Sequence, residues 1–191
     1  MRRTFKQVYN YSMAQVTVRA ALSADLPHLV ALDHGYSTEY VWQMDAREEG
    51  GQHTLTFRPV RLPRPMRVTF SRDAQRLVEE WNRRVCFLVA EDEGHLKGYI
   101  NLTLAPAPET GWVADFCVER RFRRSGIGSV LLAAAGQWAR QNNLKRLILE
   151  LQSKNYPASC FAQKLGFTFC GYNDRYYSNQ DVAVFFGMAL K

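Results

Sequence analysis

Four arginines and two glycines crowd into "RRFRRSGIG", Arg120 to Gly128. Glycines spaced Gly-x-Gly at the start of a helix let an anion approach backbone N–H groups closely. A helix N-terminus carries unsatisfied N–H donors and a partial positive charge. The chemistry this combination points to is phosphate binding. Each charge-assisted hydrogen bond contributes about 1.5–3 kcal/mol, so several backbone donors can anchor a pyrophosphate without any side chain. The stretch is not a P-loop, because Lys-Ser/Thr does not follow Gly128. Nor is it the dinucleotide fingerprint, which needs glycine where Leu131 stands.

Such a site needs a strand running into a helix, and the sequence supplies both. "GWVADFCV" reads as a strand, and Gly126 to Gln141 as a helix with Ile127, Val130, Leu131, Ala134, Ala135 and Trp138 at the 3.6 period. "VCFLVAE" and "LKGYINLTL" are strands around the turn "DEGH". "KRLILELQ" is a strand, "NYPASCFAQKLG" a helix ended by Gly166, and "FTFCGY" and "DVAVFFGMAL" are the last strands. Upstream, "VTVRAA" alternates like a first strand, and Asp25-Leu26-Pro27 opens a short helix. "STEYVWQMD" reads as a second short helix. "HTLTF" and "RVTF" read as strands flanking "RPVRLPRP", and Ser71 to Arg84 as a helix with Leu77, Val78 and Trp81 on one face. The alternation implies an α/β chain with a mixed sheet.

Composition sets the bounds. The chain has 191 residues, 47% hydrophobic and 23% charged, which fits one globular domain over 15–191 behind an N-terminal tail of 1–14. Residues 52–84 stand out as an insertion on the acceptor side. No apolar run approaches the roughly 20 residues that span a bilayer. The basic N-terminus lacks an apolar core segment, so a cytoplasmic, membrane-free protein is expected. Cys86, Cys117, Cys160 and Cys170 have no metal-ligand spacing and are expected as reduced core cysteines, with no metal bound. The net charge of +7 favours anionic partners.

The wider pattern is more specific. "FCVERRFRRSGIGSVLL" resembles motif A of the GNAT superfamily of acyl-CoA-dependent N-acyltransferases, whose core Arg/Gln-x-x-Gly-x-Gly/Ala falls on Arg123-Arg124-Ser125-Gly126-Ile127-Gly128. "LELQSKNYPASCFAQKLGF" resembles motif B, matching at Asn155, Ala158, Lys164, Gly166 and Phe167. The resemblance implies a mixed, mostly antiparallel sheet with a splayed strand pair, flanked by helices. It implies that backbone groups of Phe116, Cys117 and Val118 pair with pantetheine like an added strand, where the strand splays at a bulge. It implies that Arg123 is the motif side chain, that N–H groups of Arg124, Ser125, Gly126, Ile127, Gly128 and Ser129 hold the pyrophosphate, and that Asn155 bonds pantetheine or its surroundings. Acetyl-CoA is then the cosubstrate, and nucleic acid is not an expected partner.

Direct acetylation of an amine needs a base. An amine of pKa about 10.4 costs about 4.6 kcal/mol to deprotonate at pH 7. Glu150 interrupts the apolar strand "LILELQ" and is the first candidate; Asp115, just before the pantetheine strand, is the second. Many family members carry a tyrosine seven residues after the motif B asparagine as acid for the thiolate. Here that position is Ala162. Tyr177 is the substitute acid, with Tyr176 and Tyr172 as rivals.

The acceptor is less defined. "DFCV", "LELQ", "FAQKLGF" and "YYSN" resemble streptothricin acetyltransferases, which implies a small-molecule amine. A peptide or protein amine, or a CoA-binding module without catalysis, are the alternatives. Arg58, Arg61, Arg64 and Arg67 would line one edge of a polyproline II segment, which has three residues per turn. In a strand they would alternate faces. A solvated loop is the plainer reading of that segment. Oligomeric state is left open, a homodimer included.

Overall fold

The computed structural model describes residues 9–10, 16–70, 72–104 and 107–191. Among them lie strands β1 Tyr9–Asn10, β2 Thr17–Ala20, β3 Tyr36–Glu49, β4 Gln52–Val68, β5 Cys86–Asp92, β6 His95–Leu104, β7 Thr110–Val118, β8 Arg146–Gln152, β9 Thr168–Asn173 and β10 Ala183–Ala189. The α-helices are α1 Leu26–Val30, α2 Arg76–Glu79, α3 Ile127–Gln141 and α4 Tyr156–Lys164. The chain divides into two units. One contains 1–34, 72–149 and 187–191; the other contains 35–71 and 150–186. Of the expected tail, Tyr9–Asn10 pair with β2, while 1–8 and 11–14 lie outside the described residues. No helix among the described residues is long and apolar enough to cross a membrane.

The first unit carries the strand order β1-β2-β5-β6-β7-β8. Its pairs are antiparallel up to β7, and β7 pairs with β8 in parallel, so the sheet is mixed and mostly antiparallel as expected. Alternation along β5 builds two cores. Phe87 and Val89 join Leu26 and Leu29 of α1, Leu77 of α2, Tyr99 and Cys117 in one cluster. Leu88 and Ala90 are buried on the opposite side of the pleat. There α3 packs on β2, β5, β6 and β7. Its residues Ile127, Val130, Leu131, Ala134, Ala135 and Trp138 are all buried, as the period predicts. The helix expected over 71–84 is much shorter. After α2 the chain tightens into a 3₁₀ turn, Trp81–Arg83, and Val78 is 42% exposed. Glu80 caps this break, accepting from Arg76 and Arg84.

The second unit corrects the sequence more. "STEYVWQMD" is strand, not helix. It forms most of β3, whose first residues alternate buried and exposed. β3 and β4 make an antiparallel ribbon turned by Gly50 and Gly51, both at positive φ, as a two-residue hairpin requires. "RPVRLPRP" is part of β4. The register moves from Tyr40↔Arg61 to Thr38↔Met66, so residues 62–65 bulge opposite Glu39. Pro63 and Pro65 lack N–H donors, which accounts for the break in the ladder there. The four arginines are exposed but do not line one edge. Arg58 and Arg61 face opposite sides of a regular strand, and Arg64 lies in the bulge. Arg58 pairs with Asp45 at 3.2 Å. The ends of β8 and β10 and all of β9 complete this unit, in the order β8-β10-β9. Phe57 of β4 packs on Phe169 and Tyr172 of β9.

The four cysteines are free thiols, yet only Cys86 and Cys117 are core residues. Cys160 and Cys170 are exposed, on α4 and β9. Both positions sit among apolar neighbours in sequence, but on an outward face.

Asp25 ties β2 to α1. Its carboxylate accepts from the Leu22 N–H at 2.7 Å and from both Arg19 amino groups at 2.7 and 3.0 Å. Burial pushes its pKa up, but Arg19 and the Leu22 N–H reverse this and hold it below the ordinary carboxylate value. A depressed folded pKa stabilises above the unfolded value, about 3.9, and the gain fades as pH falls below it. Asp25→Asn is expected to lower stability by about 1.5–3 kcal/mol at pH 7. Thermal melts should show that gap narrowing below about pH 4. A gap independent of pH would mean the ion pair is not its source.

Candidate active site

Strand β7 pairs with β6 along its length but with β8 over its first half only. Its parallel register with β8 runs from Thr110↔Arg146 to Val113↔Leu149 and ends there. On the β6 side, Asn101↔Asp115 is followed by Leu102↔Val113, so Ala114 is an extra residue. This is the expected bulge. The Ala114 carbonyl, displaced from the ladder, accepts from Arg72 at 2.9 Å. Beyond it, Phe116, Cys117 and Val118 pair with Ile100, Tyr99 and Gly98 of β6.

The chain then makes a 3₁₀ turn, Arg120–Phe122, and enters α3. Arg124 has φ +66 and Gly126 φ +92. A left-handed non-glycine residue costs on the order of 1–3 kcal/mol and persists only where the surroundings fix it. The Ser125 hydroxyl donates to the Phe122 carbonyl at 2.6 Å and helps fix this loop. Gly126 is the N-cap of α3 and offers no capping side chain. The first intrahelical bond, Val130 N–H to the Gly126 carbonyl, leaves the N–H groups of Ile127, Gly128 and Ser129 at an uncapped helix start. These features fit an anionic group such as a pyrophosphate.

The Arg123 side chain folds back on the protein. It donates to the Val118 carbonyl at 2.9 Å and to the Asp33 carbonyl at 2.7 Å. It therefore joins the end of β7 to the segment after α1. The Cys117 sulfur lies 3.8 Å from the same Asp33 carbonyl. Burial pushes the Cys117 thiol up to about 12, so it stays protonated at neutral pH and is a poor nucleophile. His34 bonds the Tyr99 hydroxyl at 2.9 Å, and burial lowers its pKa, leaving a neutral imidazole. Sequence reading did not single out Asp33 or His34, because both act through partners 60 or more residues away. Of the remaining arginines, Arg121 pairs with Glu119 and lies over the Phe122 ring. Arg120 approaches Asp33 at 3.9 Å.

The candidate acid and base meet in the second unit. Tyr177, 6% exposed, donates to Glu150 Oε1 at 3.2 Å. Tyr176 donates to Glu150 Oε2 at 2.9 Å. One carboxylate thus joins two of the three tyrosines considered as acids. The third, Tyr172, stacks on Phe57 instead.

A family model described as the acetyltransferase (GNAT) family matches residues 56–167, more than half the chain. The chain belongs to the GNAT acetyltransferase family. It is similar to streptothricin acetyltransferase of Streptomyces lavendulae, at 26% identity over 164 residues, covering 83% of this chain and 85% of that protein. It is also similar to an N-alpha-acetyltransferase of Sulfurisphaera tokodaii, at 32% over 108 residues, covering 51% and 65%. The crystal structure of nourseothricin acetyltransferase aligns with a TM-score of 0.79 and 25% identity, over 93% of this chain and 99% of that one. Acetyl-CoA is the acetyl donor of the family.

Three residues of this GNAT chain have other structural duties. Asn155 is the N-cap of α4, its side chain accepting from the Ala158 N–H at 3.2 Å. Asp115 accepts from Arg84 and from Asn101, each at 3.1 Å, and Arg84 is itself only 2% exposed and also bound to Glu80. Ala162 is fully buried in α4, and its carbonyl accepts from Leu165 and Phe167 at the helix end.

The loop before α3 carries a binding prediction. Gly126→Val places a β-branched side chain at φ +92, a conformation it avoids. Calorimetric titration should show acetyl-CoA affinity falling by about tenfold or more, equivalent to one lost backbone bond of roughly 1.4 kcal/mol. Unchanged affinity would detach the α3 N-terminus from cofactor binding.

Proposed function

We propose that the protein transfers the acetyl group of acetyl-CoA directly to a primary amine of a small molecule, with Glu150 as base and Tyr177 as acid. The observation that carries the reading is the direct hydrogen bond from Tyr177 to Glu150 at 3.2 Å. Acetyl-CoA supplies an activated thioester carbonyl. The loop 124–129 holds its pyrophosphate and β7 residues Phe116–Val118 its pantetheine arm. Arg123 acts on that arm indirectly, by fixing the Val118 end of β7.

Glu150 accepts the proton that leaves the amine nitrogen. Tyr177 gives its hydroxyl proton to the departing sulfur. The bond between them lets the proton gained by Glu150 restore the phenol. The amine first releases its ammonium proton to solvent; one further proton then leaves nitrogen, one arrives at sulfur, and both side chains return to their starting state. Glu150 suits the task better than Asp115. Asp115 is engaged in a buried ion pair with Arg84 and also accepts from Asn101, so its carboxylate is occupied by structural partners. The protonated Cys117 thiol favours direct transfer over an acyl-cysteine route.

The extent of the likeness supports a small-molecule acceptor. The streptothricin acetyltransferase match spans 83% of the chain, against 51% for the N-alpha-acetyltransferase. The latter keeps a peptide N-terminus as the second reading.

Steady-state kinetics test the scheme. Glu150→Gln is expected to lower kcat by about 10²-fold or more, and Tyr177→Phe by about tenfold to 10²-fold, with little change in KM for acetyl-CoA. If both variants keep wild-type kcat across the pH range, the assignment of acid and base is wrong.

A further inference from the structure

Asp181 connects everything around the Glu150–Tyr177 pair, yet it takes no part in the chemistry above. It is 8% exposed. Its carboxylate oxygens accept from Lys154, from Gln152 at 3.2 Å and from Asn179 at 2.9 Å. Its own N–H donates to Asn179 Oδ1 at 3.1 Å. Its carbonyl accepts the N–H of Tyr176 at 3.1 Å and of Tyr177 at 3.3 Å.

These bonds run in two directions. The side chain reaches β8, because Gln152 lies two residues from Glu150 and so on the same face of the pleat. Gln152 is itself 1% exposed and fixed by the Tyr36 hydroxyl at 2.9 Å. The main chain reaches the two tyrosines. A tight turn makes this return path: the Gln180 N–H donates to the Tyr177 carbonyl at 2.7 Å, and Gln180 has φ +62. The Ser153 N–H bonds the Val182 carbonyl at 2.9 Å and repeats the tie one residue on. The strand that carries the carboxylate and the turn that carries both phenols thus share one buried anchor.

We propose that Asp181 is a positioning residue that sets the register between Glu150 and the hydroxyls of Tyr176 and Tyr177. The proposal rests on the reading of Glu150 and Tyr177 as base and acid. Its geometric part does not, and the two are tested separately. A displacement of about 1 Å in a proton-transfer pair costs up to about a hundredfold in rate.

The geometric arm uses tyrosine labelled with ¹³C at Cζ, with the two signals assigned through Tyr176→Phe and Tyr177→Phe. Glu150→Gln should shift both signals in an otherwise wild-type chain, and should no longer shift them in Asp181→Asn. The kinetic arm measures kcat and KM. Asp181→Asn should lose about tenfold to a hundredfold in kcat, with acetyl-CoA KM within about twofold. Adding Tyr177→Phe to Asp181→Asn should bring no further loss. If Asp181→Asn does not fold, Asn179→Ala, on an exposed turn, removes two of the same bonds and enters both arms. The proposal is overturned if the tyrosine signals still respond to Glu150→Gln, or if the kinetic losses multiply. If no amine is turned over even by the wild-type chain, the acid–base reading fails and the spectroscopic arm alone decides on Asp181.

Discussion

The proposed cofactor site depends on the place where β7 stops pairing with β8. Four residues of parallel register are followed by none, and the bulge at Ala114 marks the change. A strand backbone in a protein interior must satisfy its N–H and C=O groups. In the proposed site, the length of β7 beyond that register would bond an extended ligand like an added strand, and a pantetheine arm with its amides has that character. The same strand feeds a strained loop and an uncapped helix start within ten residues. In the proposed site, the amide-bearing arm and the pyrophosphate of one ligand would be met by one continuous stretch of chain. Arg123 makes that stretch rigid by holding Val118 to Asp33.

The acid–base half is built on a different principle. Its side chains are not isolated reactive groups. One carboxylate receives two phenols, and the backbone N–H groups of both tyrosines are held by the main-chain carbonyl of Asp181. Preorganisation of this kind avoids reorganising the site during proton transfer. It also offers a physical reason why a chain with Ala162 at the usual position of the acid need not lack one. In the proposed scheme the hydroxyl comes from the segment before the last strand, and it bonds the proposed base, Glu150.

Local pattern revealed the parts that depend on local geometry. Gly126 was legible because a left-handed N-cap at a helix start favours glycine. The faces of α3 and β5 were legible because burial imposes the 3.6 and 2.0 periods. β3 was not. Tyr40, Val41 and Met44 mimic one helical face, whereas the strand depends on β4, whose pairing runs to Val68. Its signal was the alternation of Tyr36, Ser37, Thr38 and Glu39, too short to decide alone. The arginines of β4 suggested a repeating edge, but a bulge of four residues breaks any period. Asp33 acts through its main-chain carbonyl, and Asp181 reaches both tyrosines through its own, besides the bonds of its carboxylate. No side-chain type signals a carbonyl contact, so no motif could have marked that part of their role. Asp115 was legible as a carboxylate beside the pantetheine strand, while its partner Arg84 is visible only once the sheet is folded.

The central claim is that this GNAT chain acetylates a small-molecule amine. The most direct measurement is a competition in one vessel, with limiting acetyl-CoA, streptothricin and a mixture of peptides bearing free N-termini, read by mass spectrometry. The account predicts a single acetyl group, of about 42 Da by the chemistry of amide formation, on streptothricin and none on the peptides. Acetylated peptide N-termini with unmodified streptothricin would contradict it, as would acetyl-CoA that binds and is never turned over.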